Sequence, residues 1–129
     1  MDGFNHFAQI SEQLYDAFAL VVKKTAFDAK ANIQAEIQSQ GLIDTGFMIN
    51  SVYTVTSDGS SYQGGEKALP PVEAPANAMS ASVAVAASYA GFPNYGTVHQ
   101  PARPFFEPGI DKTRPGLQAS ISAVANALK

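Results

Sequence analysis

From Asn5 to Gln40 the chain contains neither glycine nor proline, and its apolar residues recur every three or four positions. Phe4, Phe7, Ile10, Leu14, Phe18, Val21 (or Val22), Thr25, Ala29, Ile33 and Ile37 fall on one face at 3.6 residues per turn. Gly41 is a natural stop, because glycine readily adopts the left-handed conformation that ends helices. The spacing predicts a helix over 4–40, about 50 Å long at ~1.5 Å per residue. That exceeds what a domain of 129 residues needs. Such a helix must bend, project, or pack against something outside its own chain. The weakly apolar Ala29–Ala35 stretch is the place for a bend, and a helix–turn–helix broken there is the alternative reading.

Beyond Gly41 the period changes. Over 47–56, FMINSVYTVT, side chains alternate, which predicts a strand. Phe47, Ile49, Ser51, Tyr53 and Val55 form the more apolar face and the expected core side. A second strand is predicted over 80–90, where Val83 and Val85 alternate with small residues. Between them, 57–79 is rich in Ser, Gly, Pro and Glu, and reads as a long loop or a projecting hairpin arm. Loops of that length in small domains are usually functional or mobile. The last segment, about 108–128, predicts a helix with the apolar stripe Leu117, Ile121, Val124 and Leu128. It can start at Pro108, and kink or restart at Pro115. The expected fold class is α+β: a single domain over 1–129 with a long N-terminal helix, a small antiparallel sheet and a C-terminal helix. A sheet of so few strands needs a packed helix or a neighbour's edge, a physical reason to expect oligomers.

Composition narrows the function. Charged residues make up 15% of the chain and the net charge is −3. The eight Lys and Arg are scattered, so there is no basic face for a duplex. A weakly charged surface is less costly to bury against another subunit. There is no cysteine, which excludes disulfides and thiolate chemistry. No apolar run approaches the ~18 residues of a membrane span, and no basic region followed by an apolar core marks a leader.

Catalytic constellations are poorly supported. His6 and His99 are the only histidines, and neither lies in a metal-ligand spacing. Asp44 fits a turn ahead of Thr45–Gly46, and Asp111 fits the N-terminal turn of the last helix. No GxSxG elbow accompanies the histidines, and the glycine pairs lack a phosphate-loop lysine. No catalytic residue, cofactor or metal is expected.

Two ordered segments carry more information. GLIDTGFMINSV (41–52) follows the long helix, and SYAGFPNYGTVHQPARPFFEPGI (88–110) precedes the last one. Together they resemble the tail-component family of lambdoid phages, the gene-product-ten-like tail-completion or neck proteins of the Hong Kong 97 type. The positions that carry the resemblance are Thr45, Gly46 and Ser51, then Tyr89, Ala90, Tyr95, Gly96 and Thr97, then Pro101, Ala102, Arg103, Pro104, Phe105 and Phe106. The chain departs from the family at Asn94, where the family carries Glu, and at Phe47–Met48, where it carries a basic residue and Leu. Pro93 also interrupts what is often a strand there.

Gly46 and Gly96 permit turns that side chains would obstruct. Pro101 and Pro104 hold an extended approach to the last helix, and Phe105 and Phe106 can anchor its start. The block serves either core closure within one subunit or contact with an adjacent one. The resemblance implies a non-enzymatic virion protein at the head–tail junction, acting in tail completion and head–tail joining. It would form a homo-oligomeric ring, bind other neck and tail proteins, and let DNA pass through the lumen without specific binding. Assembly would take place in the bacterial host cytoplasm. The alternatives are a tail terminator or stopper subunit, or a small hydrolase using Asp44 or His99.

Overall fold

The computed structural model describes residues 2–40, 45–64, 68–87, 90 and 104–127. In chain order these form α1 (Asp2–Gln40), α2 (Thr45–Asn50), β1 (Val52–Thr56), β2 (Gly59–Ser60), β3 (Ser82–Val85) and α3 (Phe106–Ala127). The fold is α+β: a long N-terminal helix, a three-stranded antiparallel sheet of order β2-β1-β3, and a C-terminal helix.

The first helix runs without a break from Asp2 to Gln40, so the helix–turn–helix alternative over Ala29–Ala35 is not what the chain adopts. That stretch instead enters the core. Ala26, Ala29, Ile33 and Ile37 are buried, the two isoleucines completely. The two isoleucines meet Met48, Val52, Ala87, Ala90 and Phe105 in the main hydrophobic cluster, with Ile49, Val83, Val85, Phe106 and Ile110 packed around it.

The strand expected over 47–56 is corrected. Residues Thr45–Asn50 are helical, and the strand is only Val52–Thr56. Met48 is fully buried, on the side that strict alternation assigns to solvent. Ser51 makes the junction between the two elements. Its N–H and its hydroxyl both donate to the Met48 carbonyl, at 3.2 and 2.8 Å. The hydroxyl also accepts the Ala87 N–H at 3.2 Å, and the Ser51 carbonyl accepts the Ala86 N–H at 2.9 Å. One residue thus ends a helix and ties the start of β1 to the end of β3.

All five residues of β1 are buried, because both faces of the sheet are covered. Val52 faces α1 with Val83 and Val85. Tyr53 and Val55, on the face expected to be the core side, are buried in a second cluster with Ala84, Ala86, Tyr62 and Ala68. Its cover is the connection after β2, which folds back across the sheet. Val72 N–H donates to the Tyr53 hydroxyl (3.1 Å), and Tyr62 donates to the Leu69 carbonyl (2.6 Å). The two tyrosine rings meet edge to face with centroids 5.1 Å apart. Ala68 bridges to Ala87. Among the described residues of the region read as a loop or arm, the strand pairing is a short hairpin in which Thr56 pairs with Gly59, and 61–64 and 68–72 form a lid on the sheet.

The last helix begins at Phe106, two residues before the expected start, and continues through Pro115 to Ala127. It comes very close to α1 at Gly109, where a Cβ would lie 2.6–2.9 Å from side-chain and backbone atoms of Ile33. Such spacing lets two helix backbones approach more closely than any side chain would allow. Beside it, Asn32 donates to the buried Thr113 hydroxyl (2.9 Å), which itself donates back to the Gly109 carbonyl (2.9 Å). Lys112 and Glu36 pair alongside.

Candidate assembly surface

The motif residues divide into three groups. Tyr89, Tyr95, Gly96, Pro101 and Arg103 lie outside the described residues, as do Asp44 and His99. Thr45 and Gly46 stand in the first turn of α2 rather than at the start of a strand. Ser51, Pro104, Phe105 and Phe106 are described. Ser51 is the helix–strand junction above. Pro104 is exposed, and its carbonyl accepts the Gln40 side-chain amide at 2.7 Å, which fixes the approach to α3 against the end of α1. Phe105 is buried against Ile33 and Ile37, and Phe106 packs at the margin of the same cluster. The described part of the block therefore closes the core of its own subunit. Asp111, expected in the first turn of the last helix, stands in its second turn, exposed and 3.2 Å from Arg114.

The surface open to other molecules lies elsewhere, and it follows from the length of α1. No residue from Ala8 to Thr25 is buried, although the apolar stripe continues back through Val22, Val21, Phe18, Leu14 and Ile10. This part of the stripe is only partly covered: Leu14, Phe18, Val21 and Val22 are half-buried and Ile10 is exposed. Leu20 and Phe27, seven residues apart and so on one face, are 69% and 48% exposed. Two of the cations near them are ion-paired within the chain. Lys23 pairs with Asp58 (3.3 Å) and Lys24 with Asp28 (2.9 Å). Between Leu20, Val22, the β1–β2 turn at Thr56–Asp58 and Ala78 runs an open cleft of about 320 Å³. The sequence reading missed Leu20 and Phe27, which lie off the main apolar stripe and show only as a heptad pair.

The stripe expected on the last helix is also incompletely covered. Leu117 and Val124 are half-buried, while Ile121 is 42% exposed. No charged residue occurs from Pro115 to Ala127. Among the described residues no group of three potential metal ligands occurs, and no helix is long and apolar enough to cross a membrane.

Comparison with known proteins returns no matching family model, no matching curated protein and no matching solved structure.

Proposed function

We propose that this protein is a structural subunit of the head–tail junction of a tailed bacteriophage, acting in tail completion by assembling into a ring. The observation that carries the reading is the ordered pair of motifs, Thr45–Gly46…Ser51 and Tyr89-Ala90…Pro101–Phe106, set between a long first helix and a closing helix. The helix–sheet–helix order is the one the resemblance implies. The surface supports the same reading: α1 carries its apolar stripe beyond what the chain itself buries, beside ion-paired lysines. Function in this reading is binding by shape and apolar burial, without turnover or cofactor.

Removing the gene from the phage that carries it tests the proposal. The expected result is full heads and separate tails that fail to join, restored by supplying the protein in trans. Infectious, joined particles in its absence would overturn the proposal. A terminator or stopper subunit would differ in which partner it caps, visible as overlong tails or as heads that leak DNA.

A further inference from the structure

At about 100° per residue, Glu12, Asp16, Leu20, Lys23 and Phe27 fall within an arc of about 80° on α1. This face runs about 23 Å along the helix at ~1.5 Å per residue. The rest of the subunit does not seal it: Glu12, Asp16, Leu20 and Phe27 are all exposed. Beside its middle lies the open cleft of about 320 Å³, walled by Ala19, Leu20, Val22 and Ala78, with Asp16 and Asp58 among its lining residues. That volume is at the low end of the ~300–1,000 Å³ of small-molecule pockets. An open cleft of this size suits one or two side chains inserted by a larger partner.

The charge around the cleft is of one sign. From Asp2 to Val22 the chain carries Asp2, Glu12 and Asp16 and no Lys or Arg. Lys23 is held by Asp58 at 3.3 Å, and among the described residues no cation forms an ion pair with Glu12 or Asp16. Lys30, the next cation on this side of α1, lies about 21 Å along the axis from Asp16, well past the ~8 Å Debye length of physiological salt. Exposed apolar residues beside unpaired carboxylates repel a phosphate backbone or an anionic lipid surface, and complement a segment that is both basic and apolar. A second copy is a poor source of such a segment. Lys24, Lys112 and Arg114 are ion-paired like Lys23, which leaves Lys30 among the described residues. An antiparallel pair of α1 helices that set Asp16 against Lys30 would place Lys23 on Lys23 at the two-fold axis, a like-charge contact.

We infer that the cleft and the Glu12–Phe27 face receive a basic amphipathic helix of a different protein. An apolar side chain of that helix enters the cleft against Leu20, and its Lys or Arg residues meet Glu12 and Asp16, a helix-in-groove mode of recognition. Such docking requires neither a ring nor a phage junction, so its failure and the failure of the junction reading are separate results.

Two synthetic peptides of about 16 residues, long enough as helices to cover this face, test it. Both carry Leu or Phe at i, i+3, i+4 and i+7. They differ at the other positions, Lys and Arg in one and Glu in the second. Each is titrated into the isotope-labelled full chain and followed by amide chemical shifts. The basic peptide should bind in the micromolar range, shift amides in 16–23, Phe27 and 56–58, and weaken about fivefold between ~50 and ~300 mM salt. The Glu12→Gln/Asp16→Asn double variant should bind it about fivefold more weakly, and Leu20→Ser about tenfold. These positions are exposed, so the fold is retained and circular dichroism checks it. No binding of the basic peptide at ~1 mM, equal binding of the acidic one, shifts confined to another surface, or full affinity in Leu20→Ser would each overturn the inference. So would a DNA duplex seated on this face. Concentration-dependent shifts at Leu20 and Phe27 without peptide would make a second copy the occupant and overturn it as well.

Discussion

Gly109→Ala should destabilise the protein, although glycine-to-alanine exchange inside a helix ordinarily stabilises it. Alanine is favoured over glycine in a helix interior by about 0.8–1.0 kcal/mol. At Gly109 the added methyl would lie 2.6 Å from Ile33 Cγ1, 2.8 Å from its Cα and 2.9 Å from its N. Carbon atoms pack at ~3.5–4.0 Å, and two of these three atoms are backbone that no rotamer change can move. The helices must therefore separate by about 1 Å. Overpacking of this kind costs about 1–3 kcal/mol. The same displacement would stretch the neighbouring Asn32–Thr113 bond, now 2.9 Å, beyond hydrogen-bonding range, a further loss of about 1 kcal/mol. The net expectation is destabilisation by about 1–3 kcal/mol. Gly116 provides the control, since a Cβ there meets nothing within 4 Å in the same helix. Gly116→Ala should stabilise by about 0.8–1.0 kcal/mol. Urea unfolding followed by circular dichroism separates the two, with midpoints about 1–2 M apart for a slope of ~2 kcal/mol/M. Equal midpoints for the two variants, or a Gly109→Ala protein more stable than the parent, would refute the close helix crossing.

Other outcomes follow from single contacts. Ser51→Ala removes the hydroxyl that joins the Met48 carbonyl and the Ala87 N–H, and should cost about 1–3 kcal/mol in the same unfolding assay; an unchanged midpoint would contradict the junction role. Phe105→Ala empties a fully buried site among Ile33, Ile37 and Met48, with an expected loss of about 3–5 kcal/mol that a thermal melt would register as a large fall in Tm. Tyr53→Phe deletes the acceptor of the Val72 N–H; hydrogen exchange at Val72 should accelerate while amides in α1 stay protected, and unchanged exchange at Val72 would show that the lid does not depend on that bond. Thr113→Val should destabilise by about 1–2 kcal/mol by leaving the Asn32 amide without its acceptor, whereas Thr113→Ser should retain most of the stability.

The two long helices were legible because their signals are long. α1 extends over Asp2–Gln40 against an expected 4–40, and α3 over Phe106–Ala127 against 108–128. The short elements were harder to place. Phe47-Met48-Ile49 is a run of three apolar residues, in which period 2 and period 3.6 cannot be told apart. Ser51 held the usable clue, since a serine at that position can end a helix by bonding the carbonyl three residues back. Alternation correctly marked Tyr53 and Val55 as buried, yet it could not show that they face a folded-back connection rather than α1. What periodicity cannot reveal is which part of a stripe the chain covers itself. Ile33 and Ile121 are both apolar at helical spacing, and only the first is sealed inside the subunit.

The central claim is that this chain works by occupying the head–tail junction as a ring. Imaging intact particles at a resolution that allows the chain to be traced tests it most directly. The account predicts a ring of copies between portal and tail tube, each showing α1 packed on α3 across Gly109. Particles whose junction density cannot be fitted by a 39-residue helix crossing a 22-residue one, or in which the chain is found elsewhere or not at all, would contradict it.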